Sequence, residues 1–373
     1  MSRVLVVTND FPPRRGGIES FVLALCERLP PDDVVVYTAA MPGATAYDAA
    51  LRFPVVRDPR GTLLPTPGVA RRVEAALRAH GCDRVVFGSS VPLGLLAPRL
   101  RRAGARRLVA LTHGHEVWWA RLPVTRRLLR RVGDTVDTMT YVSQWCRERI
   151  APALSGEAAG RMVRLSPGVD PDRFFPGCGG EVVRERHGIA PDSPVVVCTA
   201  RLVRRKGQDT LVRVWPDVLH RHPAAVLLLV GDGPDRARLE RLARRHGVER
   251  SVVLTGGVPW EEVPAHTDAG DVFAMPCRTR LLGLQPEAWG IVLLEAQACG
   301  LPVVVGRSGG APETLAPGAS DRAVTGLADT REALLQAIDE VSTGAGHRVR
   351  APVTGWTWES AAAGLSELLD PGR

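Results

Sequence analysis

The sequence predicts an α/β protein with two Rossmann-like, doubly wound parallel-sheet domains facing a cleft. Short apolar runs alternate with helix-period segments along the chain, and the alternation restarts after about residue 175. Such alternation favours parallel sheets with helices on both faces. The 373 residues also exceed what one hydrophobic core usually holds. Ligands of these sheets bind beyond the carboxyl ends of the strands, so we expect the site there.

The first domain is expected over residues 1–168. Apolar runs predict strands at Val4–Val7, Val34–Tyr37, Arg84–Phe87, Leu108–Leu111 and Met139–Val142. Helix-period segments lie between them at Ile18–Leu29, Gly68–Ala79 and Arg121–Val132.

The second domain is expected over residues 169–356, after a Pro- and Gly-rich linker within 166–180. Strands are predicted at Val195–Cys198, Ala225–Val230, Ser251–Leu254, Asp271–Ala274 and Pro302–Val305. Helices are predicted at Gly207–His220, Pro234–His246, Ile291–Ala298 and Arg331–Val341. A final helix within 357–373 is expected to pack back on the first domain.

Composition and charge restrict the class of protein. Apolar residues make up 45% and charged residues 24% of the chain, which excludes a disordered or fibrous protein. The net charge of +8 favours phosphates, nucleic acid or an anionic membrane as partners without choosing among them. Seven cysteines with no C-x-x-C predict reduced thiols in a cytoplasmic protein. No signal peptide and no apolar run long enough to span a bilayer is evident.

A basic motif, "ARLVRRKGQDTL", follows the predicted strand that ends near Thr199. Arg201 and Lys206 stand five positions apart, across a turn that opens a helix. Two cations beside a helix N-terminus are typical of a diphosphate site. The alternative is a solvated basic loop.

An acidic motif, "PEAWGIVLLEAQACG", places Glu287 just before a predicted helix and Glu295 in its second turn. Both carboxylates then face one ligand from the same end of the helix. The N–H groups there have no partner within the helix; they belong to Ala288, Trp289, Gly290 and Ile291. The alternative is a capping glutamate and an exposed one.

Two loops of the first domain carry further candidates. "TNDFPPRRGGIES" contains Asp10 and the pair Gly16 and Gly17, where a ligand can approach the backbone. "ALTHGHEVWW" places His113 at the end of a strand, with His115 as a competitor. A lone histidine is more often structural, and at this position the structural and the functional interpretation both stay open.

Together these motifs resemble the retaining glycosyltransferases of family 4, which implies the GT-B arrangement for the two predicted domains. The resemblance covers essentially the whole chain and rests on R-x4-K at Arg201, E-x7-E at Glu287, the Gly-Gly loop and "THGHE". Within that family the chain is most similar to actinobacterial mannosyltransferases that act on phosphatidylinositol mannosides. The segments that carry this are "VTNDFPPRRGGIESF", "LPTPG", "THGHEV", "RLVRRKGQD", "AMPCRTR" and "LEAQACG".

The resemblance implies a role for each donor-side residue. Arg201 and Lys206 hold the donor diphosphate and neutralise the leaving group. Glu295 accepts from the ribose hydroxyls, and Glu287 with the N–H groups that follow it binds the donor sugar. The donor is a nucleotide-diphosphate sugar, with GDP-mannose favoured. Leu281, Leu282 and Trp289 depart from the family pattern on the sugar side, which leaves the donor sugar open.

The resemblance also implies the acceptor side and the mechanism. His113 touches the sugar near the reacting centre, and Asp10 orients an acceptor hydroxyl. Gly16 and Gly17 let the first loop lie against the diphosphate and the acceptor. Retention without a paired nucleophile implies front-face attack, in which the departing phosphate takes the acceptor proton. We expect no cofactor and no metal, and we interpret the single D-x-D, Asp170 to Asp172, as a structural turn.

Arg-rich helices near 98–107 and 120–133 leave two interpretations open. They are Arg-covered helices whose apolar faces pack on the sheet, or, as a lipid acceptor would favour, they lie on the inner face of the plasma membrane. No nucleic-acid partner is expected, because aromatic residues are not interleaved with these arginines. Three alternatives stay open: another donor sugar with a soluble, polysaccharide or natural-product acceptor, a non-catalytic binding protein, and a dinucleotide oxidoreductase. The absence of G-x-G-x-x-G argues against the last.

Overall fold

The computed structural model describes residues 3–14, 16–281, 283–316, 322–343 and 355–370. The chain forms two compact units. Unit 1 contains residues 1–168 together with 358–373, and unit 2 contains residues 169–357. The final segment of the chain therefore belongs to the same unit as the first.

Unit 1 is built on a seven-stranded sheet in the order β3-β2-β1-β4-β5-β6-β7, with every pairing parallel. Its strands are β1 (Arg3–Val7), β2 (Val34–Ala39), β3 (Val55–Asp58), β4 (Cys82–Phe87), β5 (Arg107–Ala110), β6 (Thr138–Tyr141) and β7 (Met162–Arg164). Every residue of β2 is buried, because helices cover both faces of the sheet.

Helices connect the strands of unit 1, because a chain that ends one parallel strand must cross back over the sheet to begin the next. They are α1 (Gly17–Arg28), α2 (Ala44–Asp48), α3 (Pro67–Ala79), α4 (Ala97–Arg102), α5 (Glu116–Arg121), α6 (Pro123–Thr135), α7 (Gln144–Ile150) and α8 (Gly156–Gly160). Thr66 caps α3 by accepting the N–H of Val69, with Pro67 at the first helical position.

Unit 2 is built on a six-stranded parallel sheet in the order β10-β9-β8-β11-β12-β13. Its strands are β8 (Val195–Thr199), β9 (Val226–Val230), β10 (Val252–Gly256), β11 (Val272–Met275), β12 (Val303–Gly306) and β13 (Arg322–Val324). Its helices are α9 (Gly180–Arg186), α10 (Gln208–Arg221), α11 (Arg236–Arg245), α12 (Val263–Asp268), α13 (Ile291–Ala298) and α14 (Gly326–Ser342).

Three strands were not predicted: β3, β7 and β13. Each lies at the edge of its sheet. Edge strands are covered less completely than central ones, and their burial patterns are mixed. A mixed pattern over three or four residues lacks the continuous apolar run that marked the central strands.

The last helix, α15 (Trp358–Leu369), packs within unit 1. The Trp358 ring lies 6.0 Å from that of Phe21 on α1. Arg28 pairs with Glu359 at 2.7 Å, and Arg107 Nε donates to the Leu368 carbonyl at 2.7 Å. The end of the chain thereby covers the face of the sheet that α1 also covers.

Within the described ranges, no helix is long and apolar enough to cross a membrane.

Candidate functional site

In unit 2, the loop after β8 carries the predicted basic pair. Arg201 follows the strand, and a single 3₁₀ turn at Arg204–Lys206 leads into α10. Gly207, at φ 84°, joins that turn to the helix. A Cβ at this position would lie 2.1 Å from the Pro276 carbonyl oxygen, so only glycine lets the loop after β8 touch the loop after β11. This contact brings Lys206 toward the loop that holds Glu287.

Lys206 and Glu287 form a buried ion pair. Lys206 Nζ lies 2.8 Å from Glu287 Oε2, and both side chains are nearly nine-tenths buried. Arg205 Nη1 reaches the same oxygen at 2.6 Å. Burial by itself would raise the pKa of Glu287, but the two cations hold that pKa below its usual range. The carboxylate is therefore ionised at neutral pH.

The backbone around Glu287 is held by the turn after β12. Ser308 Oγ accepts the Glu287 N–H at 3.2 Å, and the Gly310 N–H donates to the Glu287 carbonyl at 2.9 Å. Gly309, at φ 60°, lies so close that a Cβ would be 2.0 Å from that carbonyl oxygen. The "SGG" turn thus fixes the position of the carboxylate.

The segment between the two glutamates enters α13 through Gly290, at φ 107°. Trp289 is only 3% exposed and its ring packs against Trp356 at 4.8 Å. The tryptophan that departs from the family pattern therefore has its side chain in the core of unit 2. Leu281, at φ 50°, is exposed, and Leu282 lies outside the described residues.

Glu295 lies on α13 and is 3% exposed. Its Oε2 atom is buried and has no hydrogen-bond partner among the described residues. Burial raises the pKa of Glu295 to about 8, against a smaller lowering by Arg173. Buried polar atoms almost always have partners, so an unpaired one is a candidate for binding a ligand.

Arg201 is exposed, and its side chain makes no hydrogen bond or ion pair with any described residue. It lines a cavity of about 470 Å³ together with Arg204, Arg205 and Arg280. One carboxylate, Asp235, also lines the cavity and is held by Arg238 at 2.6 Å. The excess of guanidinium groups suits an anionic ligand.

In unit 1, the loop after β5 fixes the state of His113. Its Nε2 atom lies 2.6 Å from the Gly88 carbonyl oxygen, which only accepts, so Nε2 carries the proton. Burial lowers the pKa of His113, although Glu116 and the Gly88 carbonyl oppose this. The ring is therefore neutral at pH 7, and Nδ1 presents a lone pair. Its edge contacts the ring of Phe21 at 5.7 Å.

Glu116 organises this loop. It is fully buried and accepts the N–H groups of His113 and Gly114 on Oε2, each at 3.0 Å. Ser90 Oγ donates to Oε1 at 2.9 Å, and His115 Nε2 lies 3.4 Å from the same oxygen. Burial opposes ionisation, but the two imidazoles and the backbone N–H groups hold the pKa of Glu116 below its usual range.

Asp10 and the glycine pair lie in the loop between β1 and α1. The Asp10 N–H donates to Thr8 Oγ1 at 2.9 Å, which makes a tight turn. A Cβ at Gly17 would have nothing within 4 Å, whereas one at Gly16 would lie 2.3 Å from Glu19 Oε2. The space beside Gly17 is open in unit 1.

The D-x-D segment forms a turn, in which Asp170 Oδ1 accepts the Asp172 N–H at 3.0 Å. In the part of the chain that the structure describes, no group of three or more His, Cys, Asp or Glu side chains is placed to hold a metal ion.

Comparison with known families now adds to this geometry. Residues 181–351 match the model of glycosyl transferases group 1, and residues 15–173 match that of glycosyltransferase family 4. The chain belongs to this glycosyltransferase family. It is therefore an enzyme of the glycosyl-transferring class, as the sequence predicted.

Several relatives match this family 4 glycosyltransferase along its whole length. It is 47% identical to the GDP-mannose-dependent alpha-(1-6)-phosphatidylinositol monomannoside mannosyltransferase of Mycolicibacterium smegmatis, over 99% of both chains. It is 46% identical to the Mycobacterium tuberculosis protein of the same name, over 99% of this chain and 98% of the relative. A Corynebacterium glutamicum enzyme for the monoacylated substrate is 40% identical, over 98% and 97%.

Solved structures show the same fold. The chain is similar to Anabaena HepE in complex with UDP, with a TM-score of 0.82 at 19% identity, covering 99% of this chain and all of the other. It is also similar to WaaG, a glycosyltransferase of lipopolysaccharide biosynthesis, with a TM-score of 0.70 at 20% identity, over 99% and 100%. The predicted family and GT-B fold class are confirmed.

The structure gathers the predicted residues into two groups, one in each unit. Lys206 and Glu287 are in direct contact in unit 2. Arg201 lies in the same loop as Lys206, and its side chain contacts neither residue. Two residues were missed. Arg205 looked like any exposed arginine in a basic run, and Glu116 lacked a visible partner, because its partners come from the loops after β4 and β5. The role of each site residue stays a prediction.

Proposed function

We propose that this chain transfers mannose from GDP-mannose to a phosphatidylinositol mannoside, with retention at the anomeric carbon. The observation that carries the proposal is 47% identity over 99% of the chain to an enzyme of that name. Two further observations support it: the buried ion pair of Lys206 and Glu287, and the Oε2 atom of Glu295, which has no hydrogen-bond partner among the described residues. The resemblance assigns these three residues to the donor. Trp289 does not oppose the choice of mannose, because its side chain packs in the core.

In this proposal, Arg201 and Lys206 stabilise the charge that develops on the departing diphosphate. Glu295 accepts from the ribose hydroxyls, and Glu287 binds the sugar. The acceptor hydroxyl attacks the anomeric carbon on the face that GDP leaves. Its proton passes to the departing phosphate oxygen, so the C–O bond to phosphate breaks as the new glycosidic bond forms.

The test uses the purified chain, GDP-mannose with a radiolabelled sugar, and a lipid extract that contains phosphatidylinositol mannosides. We expect label in the organic phase, on a lipid one mannose larger than the acceptor. Parallel reactions contain labelled UDP-glucose or ADP-glucose. Label that stays in the aqueous phase with every donor contradicts the lipid acceptor, and transfer from UDP-glucose alone contradicts the donor.

We further propose that α5 and α6 contact an anionic membrane that supplies the lipid acceptor. Trp118, Leu122 and Val124 are exposed, at 36%, 58% and 69%, beside a row of arginines on α6. These arginines are Arg126, Arg127, Arg130 and Arg131. Apolar side chains next to cations are typical of surfaces that lie on anionic bilayers.

Vesicle sedimentation tests this surface. We expect binding to vesicles with 30–40% anionic lipid (about the content that gives a strong surface potential), and little to neutral vesicles. The change Val124→Glu should weaken binding, while Val182→Glu, at an exposed valine of unit 2, should not. Equal binding by all three proteins contradicts the proposal.

A further inference from the structure

Two cations share a single oxygen of Glu287. Arg205 Nη1 lies 2.6 Å and Lys206 Nζ lies 2.8 Å from Oε2, and no described residue donates to Oε1. One positive charge would be enough to balance the carboxylate. The second cation therefore needs an explanation other than charge balance.

Under the proposed function, Lys206 has two anionic partners, Glu287 and the donor diphosphate. Its ammonium is held by Glu287 here, yet it is also the proposed ligand of the donor diphosphate. If Lys206 moved to the diphosphate and no other cation remained, Glu287 would be left as a buried, unpaired carboxylate. Such a group is costly and tends to take up a proton.

Arg205 is placed to prevent this. Its carbonyl accepts the Arg278 N–H at 2.8 Å, and its guanidinium also lies 3.5 Å from the Pro286 carbonyl. The planar guanidinium keeps its charge at every working pH. The neighbouring Arg204 points elsewhere: its nearest carboxylate is Asp235, at 3.9 Å, and it is more than half exposed.

We propose that Arg205 is a positioning residue, which holds Glu287 ionised and in place for the donor sugar when Lys206 turns to the diphosphate. The inference rests on the proposed function. Oε1 of Glu287 then accepts a sugar hydroxyl, while Oε2 stays on Arg205. Arg205 acts through Glu287 and does not itself bind the substrate at this point of the reaction.

The charged and titratable groups that face Glu287 come from two other elements. The 3₁₀ turn before α10 supplies Arg205 and Lys206, and the loop after β11 supplies Cys277. Burial raises the pKa of the Cys277 thiol to about 12, so it does not titrate in an acidic assay. A change in activity on the acid side that depends on Arg205 therefore reports on Glu287.

The experiment measures kcat and KM for GDP-mannose across pH 4.5–8 for the wild type, Arg205→Gln, Arg205→Lys and Arg213→Gln. We expect R205Q to lower kcat about 10- to 100-fold, as misplacement of a positioning group does. Its acid limb should also move to higher pH, because Glu287 has lost a cation. R205K should recover part of both changes. R213Q removes the same charge at an exposed position of α10 and should keep the wild-type acid limb.

The outcomes separate the two proposals. If the wild type transfers mannose and R205Q keeps the rate and the acid limb of R213Q, the inference about Arg205 is wrong and the proposed function stands. If the wild type transfers sugar from no nucleotide donor, the proposed function fails. The pairing is then tested by thermal unfolding of R205Q, Glu287→Gln and the double variant. Additive losses there would overturn it, and non-additive losses would support it.

Discussion

Glu287 and Glu295 are eight residues apart, yet their surroundings change their pKa values in opposite directions. Two cations contact Glu287, while no described residue bonds Oε2 of Glu295. Both glutamates are buried, so the difference arises from their partners and not from their exposure. Arg205 and Lys206 keep Glu287 ionised, whereas Oε2 of Glu295 has no partner among the described residues.

This contrast predicts that replacing Glu with Gln stabilises the protein at position 295 and destabilises it at position 287. Burial raises the pKa of Glu295 to about 8, against 4.5 in the unfolded chain. The contribution of Glu295 to the free energy of unfolding is therefore full below pH 4.5 and is lost as the pH rises toward 8. Glu295→Gln removes that loss, and we expect a melting temperature above wild type at pH 8 and near it at pH 4.5. The pKa of Glu287 is lowered, so its contribution is present above pH 4.5 and is lost as pH falls below that value. Glu287→Gln should therefore melt below wild type at pH 7.

Scanning calorimetry of both variants at pH 4.5, 7 and 8 checks this prediction. A fall in the melting temperature of E295Q at pH 8 would show that Glu295 already has a partner in the free protein.

Gly17 and Gly207 give a second matched pair. A Cβ at Gly17 meets nothing within 4 Å, so Gly17→Val should fold normally but block transfer by filling the space reserved for ligand. A Cβ at Gly207 would lie 2.1 Å from a carbonyl oxygen, so Gly207→Val should disturb the fold itself. Melting temperature and transfer rate are measured for both. Full activity of G17V would remove Gly17 from the site.

At the scale of elements, most of the candidate site residues lie in loops that follow central strands. The loops after β4 and β5 meet at Glu116, and the loops after β8, β11 and β12 meet at Glu287. Parallel strands place all their carboxyl ends at one edge, so side chains far apart in sequence come together there. The helices mainly cover the sheets and, at α13, supply Glu295.

Glu116→Gln tests whether the turn after β5 depends on one carboxylate. Glu116 accepts two N–H groups and one hydroxyl, and hydrogen bonds to a charged group contribute about 1.5–3 kcal/mol. The amide loses the charge and presents a donor where acceptors are needed. We expect a lower melting temperature and weaker transfer, because His113 is held by this turn. Glu148→Gln, at an exposed glutamate, is the control and should match the wild type.

At the scale of the whole molecule, the chain crosses from one unit to the other twice, the second time between Thr357 and Trp358. Trp356 packs on Trp289 in unit 2, while Trp358 packs on Phe21 in unit 1. Two tryptophans two residues apart therefore stabilise different units.

Hydrogen exchange separates their contributions. Trp358→Ala removes a buried aromatic ring, for which about 3–5 kcal/mol is typical, and should speed exchange in β1, α1 and β5 of unit 1. Trp356→Ala should speed exchange near Trp289 and leave unit 1 unchanged. Faster exchange of unit 1 in both variants would contradict this division of the chain.

Most of the central strands and long helices were predicted because their signals are local. Fully buried strands appear in the sequence as continuous apolar runs, and amphipathic helices appear as apolar residues that recur at helical spacing. The edge strands β3, β7 and β13 were missed because partial cover gives no such run. The candidate residue types were also visible, since cations, carboxylates and glycines stood directly after predicted strands.

By itself, then, the sequence determined the fold class, the family and the chemical types available at the site. Only the tertiary structure decided that Arg205 joins Lys206 at Glu287, that Oε2 of Glu295 has no hydrogen-bond partner among the described residues, and that the Trp289 ring lies in the core. Periodicity and motifs depend on neighbours within one or two turns of the chain. Ion pairing, burial and the pKa shifts that follow from them depend on contacts between loops that are often more than 80 residues apart (Arg205 and Glu287, for example), and no local pattern records those contacts.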